Sequence, residues 1–340
     1  MILVTGGTGL VGSHLLSALV KQDKSVRALI RGNSKTDNVK SVFACHHKNA
    51  NELFNQIDWK VGDVLDVYSL LDAMKDITEV YHCAAMVSFN SSFKKEMYNV
   101  NVIGTANVVN AALEMNVCKF CHVSSIATLG RAGNSGMTDE NTSWKNSEST
   151  SWYSITKFEA ENEIWRGIEE GLNAVIVNPS VILGKGDWNG GGSSGFFPLV
   201  NNGLKFYTEG TNGFVDVRDV VNAMIMLMNS GISNERFIVS SENLSYKQLF
   251  ELIARNLGCK APSIHAGRFL CEASWRLEKL RSLLMRNEPL VTRETLQTAN
   301  RIYNYSNKKL KSQLPIEFIP IADSVRDTAQ LFLNDIEYEK

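Results

Sequence analysis

The sequence lacks a net charge of either sign. Among its 340 residues, 35 basic side chains are balanced by 36 acidic ones, which leaves a formal net charge of -1. A protein without a global electrostatic field is not expected to bind nucleic acid or an anionic membrane through its overall charge. The composition therefore predicts a small-molecule partner and no nucleic acid.

Long apolar runs are also missing. No uninterrupted apolar stretch approaches the roughly 20 residues needed to span a bilayer, so no transmembrane segment is predicted. The first residues, MILVTGGTGLVGSHLL, lack the basic start of a signal peptide, and glycines interrupt their apolar positions. These absences predict a cytoplasmic location.

Cysteines are few and do not form the pattern of a metal site. The six, at positions 45, 83, 118, 121, 259 and 271, lie scattered in apolar surroundings, which predicts reduced, buried thiols in a cytosolic protein. Cys118 and Cys121 form a C-x-x-C pair, but no second pair follows at zinc-site spacing. Cys45, His46 and His47 are adjacent and should point in different directions. No metal site is predicted.

What the sequence does contain is a regular alternation of short apolar segments, rich in Val and Ile, with longer amphipathic ones. Strands are predicted in ILVTG, SVRALIR, IDWKVGD, EVYHCAA, KFCHVSS and NAVIVNPS. Near-continuous apolar strands joined by helices imply an α/β fold, a doubly wound parallel sheet of the Rossmann type. Ligands of such a sheet bind at the carboxyl ends of the strands.

The pattern changes after residue 180. The segment GKGDWNGGGSSGFFPLVNNG is glycine-rich and poorly periodic, which is typical of a mobile loop. A strand, a helix and another strand are predicted in FVDVRDVVNAMIMLMNS and RFIVS. We therefore expect a Rossmann domain over residues 1–180, to which 214–240 return. A smaller, mostly helical substrate-binding lobe would comprise 181–213 and 241–340.

A glycine motif directly follows the first predicted strand. In TGGTGLVG, Gly6, Gly9 and Gly12 follow a G-x-x-G-x-x-G spacing, and Gly7, Gly9 and Gly12 also satisfy G-x-G-x-x-G. Glycines let the backbone approach a pyrophosphate, and the helix start beyond them offers free N–H groups. A merely tight turn is the alternative. The context, strand before and helix after, favours a dinucleotide site. Its predicted residues are Gly6, Gly7, Thr8, Gly9, Leu10, Val11 and Gly12.

Charged residues follow the second and third strands. Arg31 occupies the position where an acid would bind the adenosine 2'-hydroxyl of NAD, and Lys35 lies close behind it. A guanidinium suits the 2'-phosphate of NADP, so NADP is favoured over NAD, although Arg31 could be only a solvated strand-end charge. Asp63, with Val64 beside it, is placed to meet the adenine. Capping a helix is the alternative role of Asp63.

A tyrosine and a lysine lie four residues apart in SWYSITKFEAE. On a helix, Tyr153 and Lys157 would share a face, which by itself also describes many exposed contacts. The strand KFCHVSS ends in Ser124 and Ser125, at the ligand edge of the predicted sheet. The two hydroxyl groups and the Tyr–Lys pair are therefore expected at the same edge.

In this order along the chain, the motifs resemble those of the extended short-chain dehydrogenase/reductase superfamily, the NAD(P)-dependent epimerase/dehydratase group. The resemblance covers most of the chain and rests on TGGTGLVG, Asp63, YHCAA, NVNVIGTANVVNAA, SS-x4-G, Y-S-I-T-K, NPSVILG and FVDVRDVV. Any one of these is weak, but the ordered set is specific. VRALIR and NPSVILG look most similar to the dihydroflavonol-reductase-like branch.

The resemblance implies catalytic roles for three side chains. Tyr153 would exchange a proton with the carbonyl or alcohol oxygen of the substrate. Lys157 would hold the nicotinamide ribose and, with an oxidised cofactor, lower the phenol pKa from about 10. Ser125 would hydrogen-bond the reacting oxygen, and its neighbour Ser124 is the alternative for that role.

Further residues receive cofactor-side or structural roles by resemblance. Asn101 would serve either as a structural residue or in a proton relay. Ala84 and Ala85 would let the cofactor lie close because their side chains are small. Pro179 and Ser180, in NPSVILG, would also line the cofactor site. The helices around residues 99–115 and 152–168 pair across dimers in the superfamily, which implies a homodimer.

The substrate stays open between three hypotheses. The first is an NADP-dependent reductase of ketones or aldehydes, the second a nucleotide-sugar epimerase or dehydratase, and the third a non-enzymatic NADP-sensing protein. Such epimerases usually carry Y-G-P where this chain has Leu183, Gly184 and Lys185, and the intact Ser–Tyr–Lys set argues against a sensor. Apolar side chains at 188, 196 and 197 would suit an apolar or aromatic carbonyl substrate, or would pack the loop down.

Overall fold

A computed structural model describes residues 1–88, 90–132, 136–145, 150–188, 192–267 and 299–338 of the chain. Short strands alternate with helices up to about residue 240. In chain order the described strands are β1 Ile2–Thr5, β2 Val26–Ile30, β3 Asp58–Val61, β4 Glu79–His82, β5 Lys119–Val123, β6 Met137–Thr138, β7 Ala174–Pro179, β8 Val181–Leu183, β9 Phe206–Tyr207, β10 Thr211–Asp216, β11 Glu235–Val239, β12 Glu242–Ser245, β13 Ile264–His265 and β14 Asn304–Tyr305.

Helices of very different lengths connect these strands. The described α-helices are α1 Leu10–Lys21, α2 Asp37–His46, α3 Ala50–Asn55, α4 Val67–Ala73, α5 Lys94–Tyr98, α6 Gly104–Glu114, α7 Trp152–Glu169, α8 Phe196–Asn201, α9 Val217–Met228, α10 Tyr246–Leu257, α11 Lys308–Gln313 and α12 Ile321–Tyr338. A π-helical turn, Asn99–Ile103, links α5 to α6. Single 3₁₀ turns are formed by Ser91–Phe93, Ile126–Thr128 and Gly192–Gly195.

Seven of the strands form one parallel sheet, in the order β11-β7-β5-β4-β1-β2-β3. The chain moves outward from β1 to β3 and then crosses back to β4 on the other side of β1, so the strand order reverses between β1 and β4. Such a reversal opens a crevice at the carboxyl ends of these two strands. The predicted doubly wound Rossmann-type sheet is therefore confirmed, and the crevice is where a ligand site is expected.

Both faces of the sheet are covered because the strand side chains are apolar on either side. One face packs against α1, α2, α3 and α9, with Val4, Tyr81 and Val177 pointing into that core. The other packs against α4, α6 and α7, with Leu3 and Phe120 pointing the opposite way. Side chains along a strand alternate between faces, so near-continuous apolar runs are what a sheet buried on both sides requires.

Local sequence explains where several helices begin. Asp66, Ser151 and Asp216 precede α4, α7 and α9, and the side chain of each accepts a hydrogen bond from a backbone N–H of the first turn. Ser245 forms a reciprocal capping box with Gln248 at the start of α10. These caps satisfy N–H groups that a helix start leaves without intrahelical partners.

A smaller lobe follows the main sheet. Its three-stranded sheet, in the order β12-β10-β8, packs with α8, α10 and α12 around an apolar core of its own. Within 214–240, the segment predicted to return to the Rossmann sheet, α9 packs on that sheet and β11 joins it as an edge strand, whereas β10 pairs in the small sheet. The residue ranges of the two lobes stay a prediction, and positions 268–298 of the second lobe lie outside the described residues.

The glycine-rich segment after residue 184 contains more regular structure than the sequence predicted. Gly192–Gly195 forms a 3₁₀ turn and continues into α8, in which Phe197 and Val200 are completely buried. Tertiary burial of these apolar residues forms a helix where periodicity alone predicted a loop. Positions 189–191 of the segment lie outside the described residues.

The cysteines and histidines considered above as metal ligands do not come together at one site. His46 Nε2 lies 3.1 Å from His14 Nδ1, and His47 Nε2 lies 2.7 Å from Ser17 Oγ, so both rings hold α2 against α1. The cysteines at 45, 83, 118, 121 and 259 are free thiols, and Cys271 lies outside the described residues. Cys121 is buried within β5, but Cys118 is exposed because it precedes that strand, and the other three are half-buried, so the prediction of buried thiols was wrong for most of them. Within the described ranges, no three side chains are arranged to hold a metal ion, and no helix is long and apolar enough to span a bilayer.

Candidate active site

The glycine motif forms a tight loop between β1 and α1. Gly6 adopts the left-handed backbone conformation, with φ of +69°, and its carbonyl accepts a hydrogen bond from Gly9 N at 3.0 Å. A Cβ atom on Gly12 would overlap the Gly6 carbonyl, so the first turn of α1 packs directly on the loop. The helix start is therefore held at the crevice, where its backbone N–H groups can bind an anion.

The loop after β4 faces the glycine loop across the crevice. A Cβ atom on Gly6 would lie 2.6 Å from the backbone nitrogen of Ala84, and Ala84 N donates to Thr5 Oγ1 at 3.3 Å. Ala84 is half-buried and Ala85 is exposed. The structure thus brings together two segments that the sequence predicted on either side of a cofactor.

The positive side chains predicted near the adenosine ribose follow β2 directly. Arg31 and Lys35 are both exposed. Arg31 N donates to Ser34 Oγ at 3.1 Å, which shapes the turn that carries the two side chains. An exposed guanidinium at the carboxyl end of β2 is available to an anionic ligand.

Asp63 lies after β3, but it does not cap the following helix. Its Oδ1 accepts a hydrogen bond from Leu65 N at 2.9 Å, in a turn of its own, and Asp66 is the residue that caps α4. The alternative role considered for Asp63 thus belongs to Asp66. Val64 is buried and packs against Gly104 of α6, so its side chain supports the fold.

Ser125 and Tyr153 are hydrogen-bonded through their hydroxyl groups. Ser125 directly follows Ser124 at the end of β5, and its Oγ also accepts from Ala127 N at 3.1 Å. Burial raises the pKa of Tyr153 above its usual value, and the Ser125 hydrogen bond partly opposes that rise. The phenol is therefore protonated at neutral pH, with its oxygen beside the Ser125 hydroxyl.

Lys157 lies one helical turn beyond Tyr153 and is 2% exposed. Its Nζ donates to Val123 O, at the carboxyl end of β5, at 2.9 Å. Burial lowers the pKa of Lys157 to about 8, while Glu161 and Cys83 act in the opposite direction. The ammonium is consequently fixed at the ligand edge of the sheet and is still mostly protonated at pH 7.

Asn101 lies in the π-helical turn and joins two parts of the site. Its Nδ2 donates to Met86 O at 3.0 Å and to Thr156 Oγ1 at 3.1 Å, and its Oδ1 accepts from Met86 N at 2.7 Å. Both N–H groups are therefore used to tie the loop after β4 to α7. This geometry favours the structural reading of Asn101 over the proton-relay reading.

Ser124 and Ser125 point in different directions. Ser124 Oγ donates to Glu161 Oε2 at 2.5 Å, beneath α7, and its side chain is buried. The structure thus places only Ser125 of the two beside the Tyr153 hydroxyl. Pro179 ends β7 and Ser180 follows it; both are buried, and Ser180 N donates to Val239 O at 3.0 Å.

The apolar loop residues considered as substrate contacts pack inside the smaller lobe. Trp188 meets Phe332 edge to face, Phe197 packs on the same ring at a tilt, and Phe196 meets Phe250 edge to face. Of the two roles considered for these side chains, the structure supports packing of the loop over contact with a substrate. A different aromatic residue, Tyr305, is packed against Ile126 and Leu129, just after Ser125.

Three further side chains, which no sequence motif had indicated, meet beneath the Ser125 turn: Glu161, Asn178 and Arg236. Glu161 Oε2 accepts from Asn178 Nδ2 at 2.8 Å, and Glu161 Oε1 from Arg236 Nη1 at 3.0 Å. One signal was present, because Glu161 continues the spacing of four residues that separates Tyr153 from Lys157. Asn178 and Arg236 lie on β7 and β11, which are neighbours in the sheet but far apart in sequence, so no local pattern connects them with Glu161.

Comparison with known proteins gives a consistent result. A family model described as NAD dependent epimerase/dehydratase family matches residues 2–240. A Synechocystis sp. protein provisionally named dihydroflavonol 4-reductase is 27% identical over 337 residues, which are 97% of this chain and 94% of the relative. Cinnamoyl-CoA reductase 1 of Petunia hybrida is 26% identical over 97% of this chain and 91% of its own.

Solved structures also share the fold. The complex of Thermus thermophilus UDP-glucose 4-epimerase with NAD is 20% identical, with a TM-score of 0.74 over 98% of both chains. At that identity the likeness concerns the fold alone. It agrees with the seven-stranded sheet and the crevice between β1 and β4.

Proposed function

The chain belongs to the NAD dependent epimerase/dehydratase family, whose members are enzymes of the extended short-chain dehydrogenase/reductase type, and from that premise we propose that it is an NADPH-dependent reductase of ketones or aldehydes. The observation that carries the proposal is the hydrogen bond between Ser125 and Tyr153, one helical turn from the Lys157 ammonium. These groups lie at the carboxyl edge of the sheet, where a nicotinamide cofactor would bind in this fold.

The residues present fit a dinucleotide. A side chain on Gly6 would collide with the backbone of Ala84, and one on Gly12 with the carbonyl of Gly6, so only glycine lets the loop pack this closely against α1 and the segment after β4, the arrangement that binds a pyrophosphate in this fold. The glycine loop and the start of α1 would hold the pyrophosphate, and Lys157 the nicotinamide ribose. Once bound, the cofactor would supply the hydride.

The protein side of the reaction is a proton transfer. Because burial raises the pKa of Tyr153, the phenol carries its proton at neutral pH and can donate it to a carbonyl oxygen during reduction. The Ser125 hydroxyl, already bonded to Tyr153, would hydrogen-bond the same oxygen and orient it. The Lys157 ammonium would stabilise negative charge that develops on the phenol oxygen.

The preference for NADPH is supported by charge. Arg31 and Lys35 are exposed where β2 ends, and no acid follows that strand before Asp37. A guanidinium can form two parallel hydrogen bonds with a phosphate, whereas a ribose hydroxyl is best bound by a carboxylate. The 2'-phosphate of NADP therefore matches this turn better than the 2'-hydroxyl of NAD.

A nucleotide-sugar epimerase is the second candidate, favoured by a Methanocaldococcus jannaschii relative provisionally named UDP-glucose 4-epimerase. Two observations support the reductase over it. The relatives with reductase names match 97% of this chain at 26–27% identity, whereas the relative provisionally named UDP-glucose 4-epimerase matches only 78% of it, at 26% identity. The chain also has Leu183, Gly184 and Lys185 at the position of Y-G-P. The Lys185 ammonium is buried against Asp335, at 2.7 Å, and so braces the smaller lobe.

Oligomeric state and location belong to the same proposal. We expect a homodimer that pairs α6 and α7 of the two copies, and a cytoplasmic enzyme. Ile103, beside the start of α6, is 43% exposed, which supports an apolar contact on this side of the molecule. Sedimentation of the purified chain would test the dimer, and a purely monomeric protein at assay concentration would contradict it.

Calorimetric titration with NADPH and with NADH, followed by assays of NADPH consumption with a carbonyl panel, tests the proposal. We expect NADPH-selective binding and NADPH oxidation coupled one to one with alcohol formation. Redox-neutral conversion of UDP-glucose, without net cofactor consumption, would instead establish the epimerase. Binding of neither dinucleotide would contradict both functions.

A further inference from the structure

A cluster of buried polar side chains lies directly beneath the Ser125 turn. We call it the Glu161 cluster, and it consists of Ser124, Thr128, Glu161, Asn178 and Arg236. Its centre is the carboxylate of Glu161, a residue that is only 1% exposed although its side chain is ionisable. Burying a carboxylate costs free energy unless an opposite charge and hydrogen bonds compensate for the lost water.

Both carboxylate oxygens of Glu161 have partners. Oε2 accepts from Ser124 Oγ at 2.5 Å, from Thr128 Oγ1 at 2.7 Å and from Asn178 Nδ2 at 2.8 Å. Oε1 accepts from Arg236 Nη1 at 3.0 Å. One carboxylate therefore joins α7 to β5, to the turn after β5, to β7 and to β11.

The partners of Glu161 also hold the backbone of Ser125. Asn178 Nδ2 donates to Ser125 O at 3.1 Å, and Thr128 Oγ1 lies 2.9 Å from the same carbonyl. Ser124, on the preceding position, is bonded directly to Glu161. The turn that carries the Ser125 hydroxyl is thus held by Ser124 and Asn178, both of which are hydrogen-bonded to Glu161.

Glu161 lies on the helix that carries Tyr153 and Lys157, one turn beyond the lysine. Tyr153, Lys157 and Glu161 follow one another at intervals of four residues and share a helical face. Fixing Glu161 against the Ser125 turn therefore also fixes the distance between Ser125 and Tyr153. A loss of that link would leave each side chain in place on its own element but change their mutual position.

Glu161 also differs in charge from the other titratable groups facing Lys157. Cys83 follows β4, and its pKa rises to about 12 on burial; His82 and His122, on β4 and β5, have lowered pKa values because they are buried. These three groups are neutral at pH 7, as is Tyr153. Among the described residues that act on Lys157, Glu161 therefore supplies the negative charge, and Arg236, on β11, is its other cationic partner.

We propose that Glu161 is a positioning residue of the reductase site, which locks the Ser125 turn onto the helix of Tyr153 and Lys157 and supplies the buried negative charge that retains the proton of Lys157. The proposal rests on the proposed function for its catalytic consequence. Stability alone does not explain the cluster, because replacing a buried ion pair with apolar side chains is often neutral or stabilising.

Two substitutions separate charge from geometry. Glu161→Gln keeps the size and an acceptor oxygen but removes the charge, so kcat for carbonyl reduction should fall about twofold at pH 7 and about tenfold at pH 9. Because Lys157 then loses its proton more easily, the alkaline limb of the kcat profile should move about one pH unit toward acid. Glu161→Asp keeps the charge on a shorter side chain, so kcat should fall while the alkaline limb stays near its wild-type position.

The matched control is Glu163→Gln. Glu163 lies on the same helix, is partly exposed and pairs with Arg166 at 2.8 Å on the surface. Both kcat and the pH profile of this variant should equal those of the wild type. A Glu161→Gln variant that keeps the wild-type kcat, or loses activity equally at every pH without movement of the alkaline limb, would overturn the proposal.

A measurement without turnover distinguishes this proposal from the proposed function. The pKa of Lys157 can be read by NMR from protein labelled at the lysine ε-carbon, with the Lys157 signal assigned from its absence in Lys157→Met. We expect a lower pKa in Glu161→Gln than in the wild type. An unchanged pKa would overturn the role of Glu161 even in an active reductase, whereas a lowered pKa in a protein that reduces no carbonyl would contradict only the proposed function.

Discussion

Lys157→Met should stabilise the folded chain at neutral pH and at the same time abolish carbonyl reduction. Lys157 is 2% exposed, and its ammonium stays mostly protonated in the folded protein. Methionine has a similar length and is apolar, so it fills the same space without a buried charge. The prediction separates what the ammonium costs in folding from what it contributes to catalysis.

The magnitude follows from the pKa of Lys157. Burial lowers it from 10.5 to about 8, and one pKa unit corresponds to about 1.4 kcal/mol, so the protonated side chain destabilises the fold by about 3 kcal/mol. The methionine variant loses the hydrogen bond to Val123 O, which is worth about 1 kcal/mol. We therefore expect a net gain of about 2 kcal/mol in the free energy of unfolding at pH 7.

The sign of the pH dependence is fixed by the same shift. Below about pH 8 the folded and the unfolded wild type both carry the proton, so the cost is fully present. Between about pH 8 and 10.5 the folded protein has released the proton and the unfolded chain has not, so wild-type stability rises with pH. The advantage of the variant should shrink across this window, and by its alkaline end the wild type should be the more stable protein by about 1 kcal/mol, the value of the hydrogen bond to Val123 O.

Urea denaturation of the wild type and of Lys157→Met, at about pH 7, 8, 9 and 10, measures this difference. Other titrating groups are common to the two proteins, so their contributions largely cancel in the comparison. A variant that is less stable at pH 7, with a difference that does not change with pH, would refute the reasoning. Retained carbonyl reduction in the variant would refute the catalytic role of Lys157.

Two further substitutions test the cofactor side of the site. Arg31→Asp should shift the ratio of NADPH to NADH affinity toward NADH by about tenfold or more, because an acid at this position suits a ribose hydroxyl and repels a phosphate. Calorimetry measures the ratio, and Lys24→Asp, before β2, is the control. An unchanged ratio would show that Arg31 does not contact the phosphate. Gly12→Ala should weaken binding of both dinucleotides by about tenfold or more, because the new Cβ would overlap the Gly6 carbonyl. Gly195→Ala, where nothing lies within 4 Å of such a carbon, should leave binding unchanged, and wild-type affinity in Gly12→Ala would contradict the loop geometry.

The architecture of the main sheet could be predicted because its signals are local and repeated. Each buried strand is a short Val- and Ile-rich run, and the glycine loop identifies the first crossover. The small sheet was harder, since β10 runs directly into α9 of the main domain, and its pairing with β8 and β12 depends on contacts distant in sequence. The same holds for α8, where burial of Phe197 outweighs the glycine-rich composition around it.

Residue types at the site were predictable, but their directions were not. Two adjacent serines are equivalent in sequence, and only the structure shows Ser124 turned under α7 and Ser125 beside Tyr153. Asn101 likewise has two readings until its amide is seen bonded to Met86 and Thr156. Side-chain direction depends on the backbone path after each strand, which a motif does not specify.

The most direct test of the proposed mechanism is the pair of measurements made on Tyr153→Phe: the calorimetric affinity for NADPH and the rate of carbonyl reduction. The substitution removes the proton donor and almost no volume. We predict an affinity close to that of the wild type and a loss of turnover of about 10²- to 10⁴-fold. Wild-type turnover in Tyr153→Phe would contradict the assignment of its hydroxyl as the catalytic acid.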